Sequence, residues 1–419
     1  MFVYVIIHSL QSYCNLPNYP QVLIQEDSTL LLSMNKKGMQ QYLMCTVQQS
    51  PSYLQKYNLP SMIFNISVEG VLYEIDFKNI SLIEMNTDDT FADIKSKSFE
   101  AHNTNILFNF SWNLNEMAYP YINDNGHGQI NITGSDFRVN GLDFFQDIDC
   151  QGNLKYGISS IYFDSNILTV ELYESKTSLF ELIEKQIIIQ LHMQLLDLMP
   201  QLMSDLIFTH MWVFENQQQN YQQYPKYPSL VKDDRFTSNM LVELNQLVFM
   251  KSGYIFASKN MSDQFINHQM INALPIVKNE KQIEYTIAKA ALNNFLYIFH
   301  KYNDSYSNPS VFSVIDTPSI DLFKDHVTLN LIVFMQDEEF KKVSLKGAPK
   351  LRTEDDLTYL FFEFELEPEN QEIISWVNEQ IKDACYLIKN EVFSMNGFSV
   401  VIDADNDCVK IVGDIAACL

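Results

Sequence analysis

The sequence predicts an α+β fold dominated by antiparallel sheet, written in two halves of one design. Three observations predict it. A short amphipathic helix, a series of alternating strands and a longer amphipathic helix follow one another twice, from about residue 30 to 215 and again from about 283 to the C-terminus. The strand-like runs alternate apolar and polar residues with a period of two, as half-buried strands do. Between the halves lies a polar stretch punctuated by Pro225 and Pro228. Residues 1–216 are expected to form one domain, 217–239 a linker, and 240–419 a second domain.

The first half opens with a helix predicted over residues 30–47, where Met39, Leu43 and Val47 fall on one apolar face. Pro60 restarts the chain as strand. Phe64, Ile66 and Val68 alternate with Asn65, Ser67 and Glu69. Gly70 shifts the phase as a bulge or bend, and Val71, Tyr73, Ile75 and Phe77 continue it. Alternation over 107–112, 128–137, 158–163 and 167–172 predicts a meander with one wet and one apolar face. Asn123-Asp124-Asn125-Gly126 and Gly134-Ser135-Asp136 are expected as turns. Residues 178–211 then predict a helix of about nine turns. Its polar residues form a stripe, Gln186, Gln190, Gln194, Asp197, Gln201 and Asp205, and the remaining apolar arc is wider than a surface helix needs. Pro200 should kink it. Such an arc suits a helix set into a curled sheet, and equally a helix in an ordinary core.

In the second half, 240–250 reads as strand and 282–301 as helix, with Ile287, Ala291, Phe295 and Ile298 on one side. Strands are predicted at 311–315, 327–334 and 357–366. A helix capped by Asn370 is predicted to about residue 390, with Ile373, Val377, Ile381, Ala384 and Ile388 as its seam. Strands at 398–402 and 408–412 close the chain as a hairpin.

Composition narrows the function. The chain has 419 residues, with 29 Phe and 22 Tyr but 12 Gly, which favours regular sheet and helix over glycine-rich loops. A formal charge of −24 repels phosphate backbones and strongly anionic membranes, so nucleic acid is not expected as a partner. Six cysteines lie far apart with no Cys-x-x-Cys, which argues against a zinc site and leaves disulfides and buried thiols both open. Asp403-Ala404-Asp405-Asn406-Asp407 begins like a calcium loop, but Cys408 stands where the turn glycine is required, so a tight turn between strands is expected. Asn125-Gly126-His127-Gly128 is too short for a phosphate cradle and reads as a hairpin turn. No nucleophile elbow and no paired acid and base stand out, so no enzyme, metal or cofactor is expected. Asn-x-Ser/Thr occurs at Asn65, Asn79, Asn109, Asn131, Asn260 and Asn303, and Asn109 and Asn131 fall on the polar face of alternating strands, open to glycosylation. Residues 1–7 are apolar but short and lack a basic start, which fits a clipped secretory signal or a first strand.

The order of several weak motifs resembles the bactericidal permeability-increasing, lipopolysaccharide-binding and phospholipid-transfer protein family. Ser28 to Gly38 looks like that family's opening strand running into a helix begun near Lys37-Gly38. Phe108-Asn109-Phe110-Ser111-Trp112 resembles its strand ending in Trp, and Cys150 followed by Ile158 to Phe163 its cysteine-bearing strand. Ser175 through Phe208 is similar to its long pocket helix, and Ile287 through Tyr297 to its helix with a central Asn. The resemblance implies an elongated boomerang of two pseudo-symmetric antiparallel barrels, each wrapped on a long helix and joined by a central sheet. It implies a phospholipid in an apolar pocket of each barrel, transient membrane contact, and secretion or an endomembrane lumen. Two departures are evident. The family commonly ties the counterpart of Cys150 to a cysteine of the long helix, and this helix has none. The family's endotoxin binders carry basic clusters, and this chain is acidic.

The function expected is a lipid-binding or lipid-transfer protein without covalent chemistry. The alternative is a structural or interaction protein whose pockets are filled by its own side chains. The lipid-facing residues expected are Met39, Leu43, Val47, Ile187, Leu191, Leu195 and Met199 in the first half, and Ile287, Ala291, Phe295, Ile373, Val377 and Ile381 in the second. Oligomeric state is not legible.

Overall fold

The computed structural model describes residues 28–42, 44–45, 59–117, 123–146, 154–165, 167–173, 180–214, 221–224, 227, 230–234, 241–257, 274, 276, 278, 280–302, 312–314, 316–335, 340–354, 357–365, 371, 374–375, 378, 386–388 and 393–418. They form antiparallel sheets packed with a few helices. The sheet of the first half runs in the order Met62–Val68, Val71–Asn86, Ser98–Glu116, Asn123–Gln146, Leu154–Asp164, with Asp89–Asp93 and Ile167–Tyr173 paired alongside. A sheet of the second half runs Phe312–Val314, Val327–Met335, Phe340–Glu354, Leu357–Phe364, Tyr386–Ile388, with Ser319–Leu322 beside its second strand. A third sheet draws on both halves, in the order Leu241–Glu243, Gln246–Lys251, Leu30–Asn35, Ile283–Ala288, Cys408–Cys418, Phe393–Asp403. The long helix Phe180–Phe214 packs on the first sheet, and the helix Lys289–Tyr302 lies against Ile255–Ala257, Ile283–Ala288 and Ser319–Leu322.

The two strands at the middle of the third sheet correct the sequence reading. The apolar spacing places Leu30–Asn35 and Ile283–Ala288 at the starts of helices, and both are strands; at the first, the strand running into a helix near Lys37-Gly38 that the family resemblance implies is what forms. They pair with each other, Leu32 opposite Tyr285. Each has neighbours on both sides and is buried on both faces, which removes the period-two signature. Each then turns directly into a helix. Asn35 caps the first, its Oδ1 accepting the Gly38 amide at 3.0 Å, and residues 36–42 are helical. A Cβ on Gly38 would collide with the Gln282 carbonyl, so only glycine lets this helix lie so close to the other half.

Other differences have local causes. Asn123–Gln146 is one strand, without the turns expected at residues 123–126 and 134–136. Gly126 and Gly128 stand opposite Trp112 and Phe110, and their missing side chains leave room for those rings across the strand pair. Gly134 and Gly141 take positive φ within the same strand, where the expected polar turn residues bend it instead of ending it. Gly70, with Glu69, forms a two-residue hairpin turn, both at positive φ. Residues 241–250 are a hairpin, not one strand, because Leu244 and Asn245 both take positive φ between Leu241–Glu243 and Gln246–Lys251. The helix expected to residue 390 ends earlier, since Tyr386–Ile388 is a strand paired with Leu357–Phe364. The acidic run 403–407 is a tight 3-10 turn between the last two strands, with Asp407 in the left-handed region.

The polar stretch between the halves is partly sheet. Tyr221–Gln223 and Leu230–Asp233 pair with each other, and Leu230–Asp233 also pairs with Ile255–Ala257. Lys232, Asp233 and Asp234 are buried there.

Candidate functional site

The apolar interior of the first half lies between the first sheet and the helix Phe180–Phe214. On the sheet, Phe64, Ile66, Ile75, Phe77, Phe108, Phe110, Trp112, Ile130 and Ile132 point inward and are buried. Phe77 and Phe110 pack at 4.2 Å between ring centroids, and Phe64 meets Phe77 edge-on at 5.2 Å. Trp112 keeps its indole N–H satisfied by donating to the His127 carbonyl at 3.0 Å. The helix contributes Ile183, Ile187, Leu191, Leu195, Met199 and Leu202, one stripe at spacings of four and three, and continues through Pro200.

The helix is positioned by both margins of the sheet. Gln186 and Gln190 donate their side-chain amides to the carbonyls of Ser67 and Asn65 on Met62–Val68, at 3.4 and 3.3 Å. On its other flank it packs against Leu154–Asp164 and Ile167–Tyr173, with His192 Nε2 3.4 Å from Ser165 Oγ. Its outer face is also apolar: Ile189 is 61 % exposed and Met193 58 %. The wide apolar arc read from the sequence is therefore two faces, one inside and one facing water.

The second half is organised around two adjacent asparagines in Lys289–Tyr302. Asn294 Oδ1 accepts the amide of Ile255 at 2.7 Å, and Asn293 Oδ1 accepts that of Ile320 at 2.7 Å. The helix is thereby fastened to two strands, and its apolar side is free to meet aromatic rings. Phe295 packs with Tyr224, Phe299 and Tyr386. Asn378 clamps Phe364 through both its backbone N–H and its carbonyl.

Next to these rings is a buried polar knot that the sequence did not single out. Lys232 Nζ lies 2.7 Å from Asp234 Oδ1, with the two side chains 2 % and 6 % exposed, and 5.3 Å from the centroid of the Tyr386 ring. Tyr386 donates to the Gly253 carbonyl at 2.7 Å, and Thr29 to the Ser252 carbonyl. Burial holds the Tyr285 and Tyr386 hydroxyls well above the usual tyrosine range, reinforced by the negative charge of Asp234. Both phenols stay neutral at any physiological pH. Strand signals at residues 221–223 and 230–233 were masked by the surrounding Gln, Tyr, Pro and charged residues.

The expected lipid-facing residues divide as follows. Met39, Ile187, Leu191, Leu195, Met199, Ile287, Ala291 and Phe295 are all buried, and all belong to one continuous apolar cluster that extends through both halves. Ile287 lies on a strand, not on the helix with Ala291 and Phe295. Leu43, Val47, Ile373, Val377 and Ile381 fall outside the described residues, although Ile374 beside them is fully buried in the same cluster. Of the sequons, Asn65, Asn79 and Asn131 are exposed; Asn79 has φ of 51° in an irregularity of its strand. Asn109 is half-buried, and its Oδ1 is enclosed without a hydrogen-bond partner. Asn260 and Asn303 fall outside the described residues. Cys45 is buried and disulfide-bonded, while Cys408 is a buried free thiol pushed up to about 12, chiefly by burial. Cys150 lies outside the described residues. Among the described residues no three His, Cys, Asp or Glu side chains gather as a metal site, and no helix is long and apolar enough to cross a membrane.

Three solved structures resemble the chain. Lipopolysaccharide binding protein superposes with a TM-score of 0.58 at 11% identity, covering 93% of this chain and 99% of that one. Takeout 1 of Epiphyas postvittana matches 40% of this chain and 88% of its own, with a TM-score of 0.26 and 11% identity. P47 of Clostridium botulinum A2 matches 92% and 97%, with a TM-score of 0.23 and 12% identity. No family model and no curated protein sequence matches the chain. The fold is shared with lipopolysaccharide binding protein over nearly the whole of both chains, and the sequence resemblance stands at the level of fold.

Proposed function

We propose that this chain binds acyl lipid in an apolar interior and carries it without covalent chemistry. The observation that supports this most is the continuous apolar cluster between sheets and helices, in a fold shared end to end with a protein named for binding a lipid-bearing ligand. Sequestering two acyl chains from water is worth on the order of 20 kcal/mol, at ~0.8 kcal/mol per CH₂, so a carrier needs an interior that matches the bilayer and nothing more. In this reading residues 1–216 and 240–419 are two lipid-sized barrels of a boomerang, and residues 217–239 tie them together. The net charge of −24 favours a neutral or zwitterionic phospholipid over an anionic one. The disulfide at Cys45 and the exposed Asn65, Asn79 and Asn131 fit an oxidising, glycosylating route to secretion or an endomembrane lumen.

The second reading, an interaction protein with side-chain-filled pockets, draws on how completely Ile187, Leu191 and Met199 are enclosed and how closely the rings of Phe64, Phe77 and Phe110 stack. Native mass spectrometry with lipid extraction separates the two. Stoichiometric phospholipid on the purified protein is expected; a folded protein that neither arrives with lipid nor takes it from zwitterionic vesicles sinks the carrier reading.

A further inference from the structure

The polar stripe of the long helix does not simply face water. Gln186 and Gln190 reach Ser67 and Asn65, two residues apart on Met62–Val68. That strand is terminal in its sheet and pairs through backbone bonds with Val71–Asn86, so its outer carbonyls need other donors. Four residues of helix rise about 6.0 Å and two residues of strand about 6.6 Å. Successive glutamines on the helix therefore meet successive outward carbonyls on the strand. Carried one step further, the same spacing would set Gln194 beside Ile63.

We infer that this seam is the slot through which an acyl chain enters and leaves the first-half interior, with Gln186 and Gln190 as its latch. The inference rests on the lipid-carrier reading. Three features carry it. The margin along Met62–Val68 is the end of the sheet, and there the packing of the helix is supplemented by two long, water-exposed side-chain bonds. The interior begins one residue behind the latch on both banks. Phe64 and Ile66 alternate with Asn65 and Ser67, and Ile187 and Leu191 follow Gln186 and Gln190; all four apolar side chains are buried. Outside the latch both banks carry exposed apolar residues, Ile63 on the strand and Ile189 and Met193 on the helix. A chain crossing the seam thus passes from apolar flank to apolar interior, parting two amide bonds and the packing of the helix on Met62–Val68. Those bonds are replaced by water when the seam opens, so opening leaves no backbone group unsatisfied.

The test is exchange of a fluorescent phosphatidylcholine between vesicles and the full-length protein. Ile63→Cys with Gln194→Cys, bridged by a short bis-maleimide, holds the seam shut, and the same variant capped with a monofunctional maleimide is its control. Bridging is expected to slow exchange at least about tenfold. Gln186→Ala with Gln190→Ala removes the latch from a solvent-exposed position and is expected to speed exchange by about fivefold at unchanged lipid stoichiometry. A bridged protein that exchanges as fast as the capped one overturns the slot, and a latchless variant that exchanges at the wild-type rate overturns the role of the glutamines. Wild-type protein that takes up no lipid overturns the carrier reading itself, a different outcome from either.

Discussion

Replacing Lys232 by methionine tests whether the stretch between the halves is a tether or part of the body. Its ammonium lies 2.7 Å from Asp234, and the two side chains are almost wholly withdrawn from water. Methionine keeps the volume of the stem and removes the charge, leaving the Asp234 carboxylate buried without its cation. Breaking a buried pair from one side costs about 3–5 kcal/mol. With a urea dependence of about 3 kcal/mol/M for a chain of this size, the unfolding midpoint should fall by about 1 to 1.7 M. Asp234→Leu, which leaves the Lys232 ammonium buried without its anion, should cost a comparable amount. The double replacement Lys232→Met with Asp234→Leu should recover most of the loss, because a well-packed apolar pair costs little where an ion pair was. The assay is urea unfolding followed by circular dichroism on the four proteins, read as a double-mutant cycle. If both single variants lose less than about 1 kcal/mol, the pair is solvated and residues 230–234 are a linker after all.

Three further outcomes are expected. Burial holds the Glu284 carboxyl above its usual range, against the opposing pull of Lys410 and the hydrogen bond from Thr286. The folded state therefore favours the protonated form: that stability is fully present below about pH 4.5 and is lost as pH rises through the raised folded value. Glu284→Gln should raise the melting temperature at pH 7 and have no advantage at pH 4, and a variant equal to wild type at both would refute this. Cys408, at about 12, has roughly one thiol in ten thousand ionised at pH 8, so iodoacetamide should leave it unmodified in the native protein and label it after denaturation, as peptide mass spectrometry would read. Asn294→Ala leaves the Ile255 amide without its 2.7 Å acceptor and should cost about 1–3 kcal/mol, measured by denaturant unfolding, with Asn294→Asp less damaging than Ala because it keeps an oxygen there.

How much of this was legible in the sequence depends on what each residue had to satisfy. Strands with one wet face were readable over part of their length, 71–77 of Val71–Asn86 and 107–112 of Ser98–Glu116, because alternation is imposed by a single water boundary. Strands with two buried faces were not: Leu30–Asn35 and Ile283–Ala288 lost that boundary and borrowed the pattern of the helices they lead into. Phe340–Glu354 went unread because Lys341, Lys342, Lys346 and Lys350 gave it a polar surface with Gly347 and Pro349 inside it. Gly126 and Gly128 looked like turn residues, and their use is spatial: they make room for Trp112 and Phe110 on a neighbouring strand fourteen to eighteen residues earlier in the chain. The inner stripe of the long helix was found by spacing alone, and all four residues named on it are buried. Its glutamine stripe was found too, but not its partner, since nothing in a helix sequence says which edge strand lies beside it.

The twofold repetition now has a physical location. Leu30–Asn35 and Ile283–Ala288 are the same kind of unit, a strand that runs straight into a helix, and they pair antiparallel at the middle of one six-stranded sheet. An antiparallel pair has a local twofold axis between its strands, here near Leu32 and Tyr285. Moving outward from it, each side of the sheet adds one strand and then the other arm of a hairpin: Gln246–Lys251 with Leu241–Glu243 on one side, Cys408–Cys418 with Phe393–Asp403 on the other. The hairpin beside the first-half strand comes from the second half of the chain, so neither half can complete this sheet alone. Gly38 against Gln282 and the Ala288 amide on the Thr29 carbonyl fasten the junction on both sides of the axis. Separately expressed halves should therefore each expose a strand edge at the axis, and residues 1–216 alone should aggregate or pair with added 240–419 instead of behaving as an independent domain. Size-exclusion chromatography of the two fragments, alone and mixed, checks this, and a monomeric, stably folded 1–216 fragment would show that the shared sheet is dispensable.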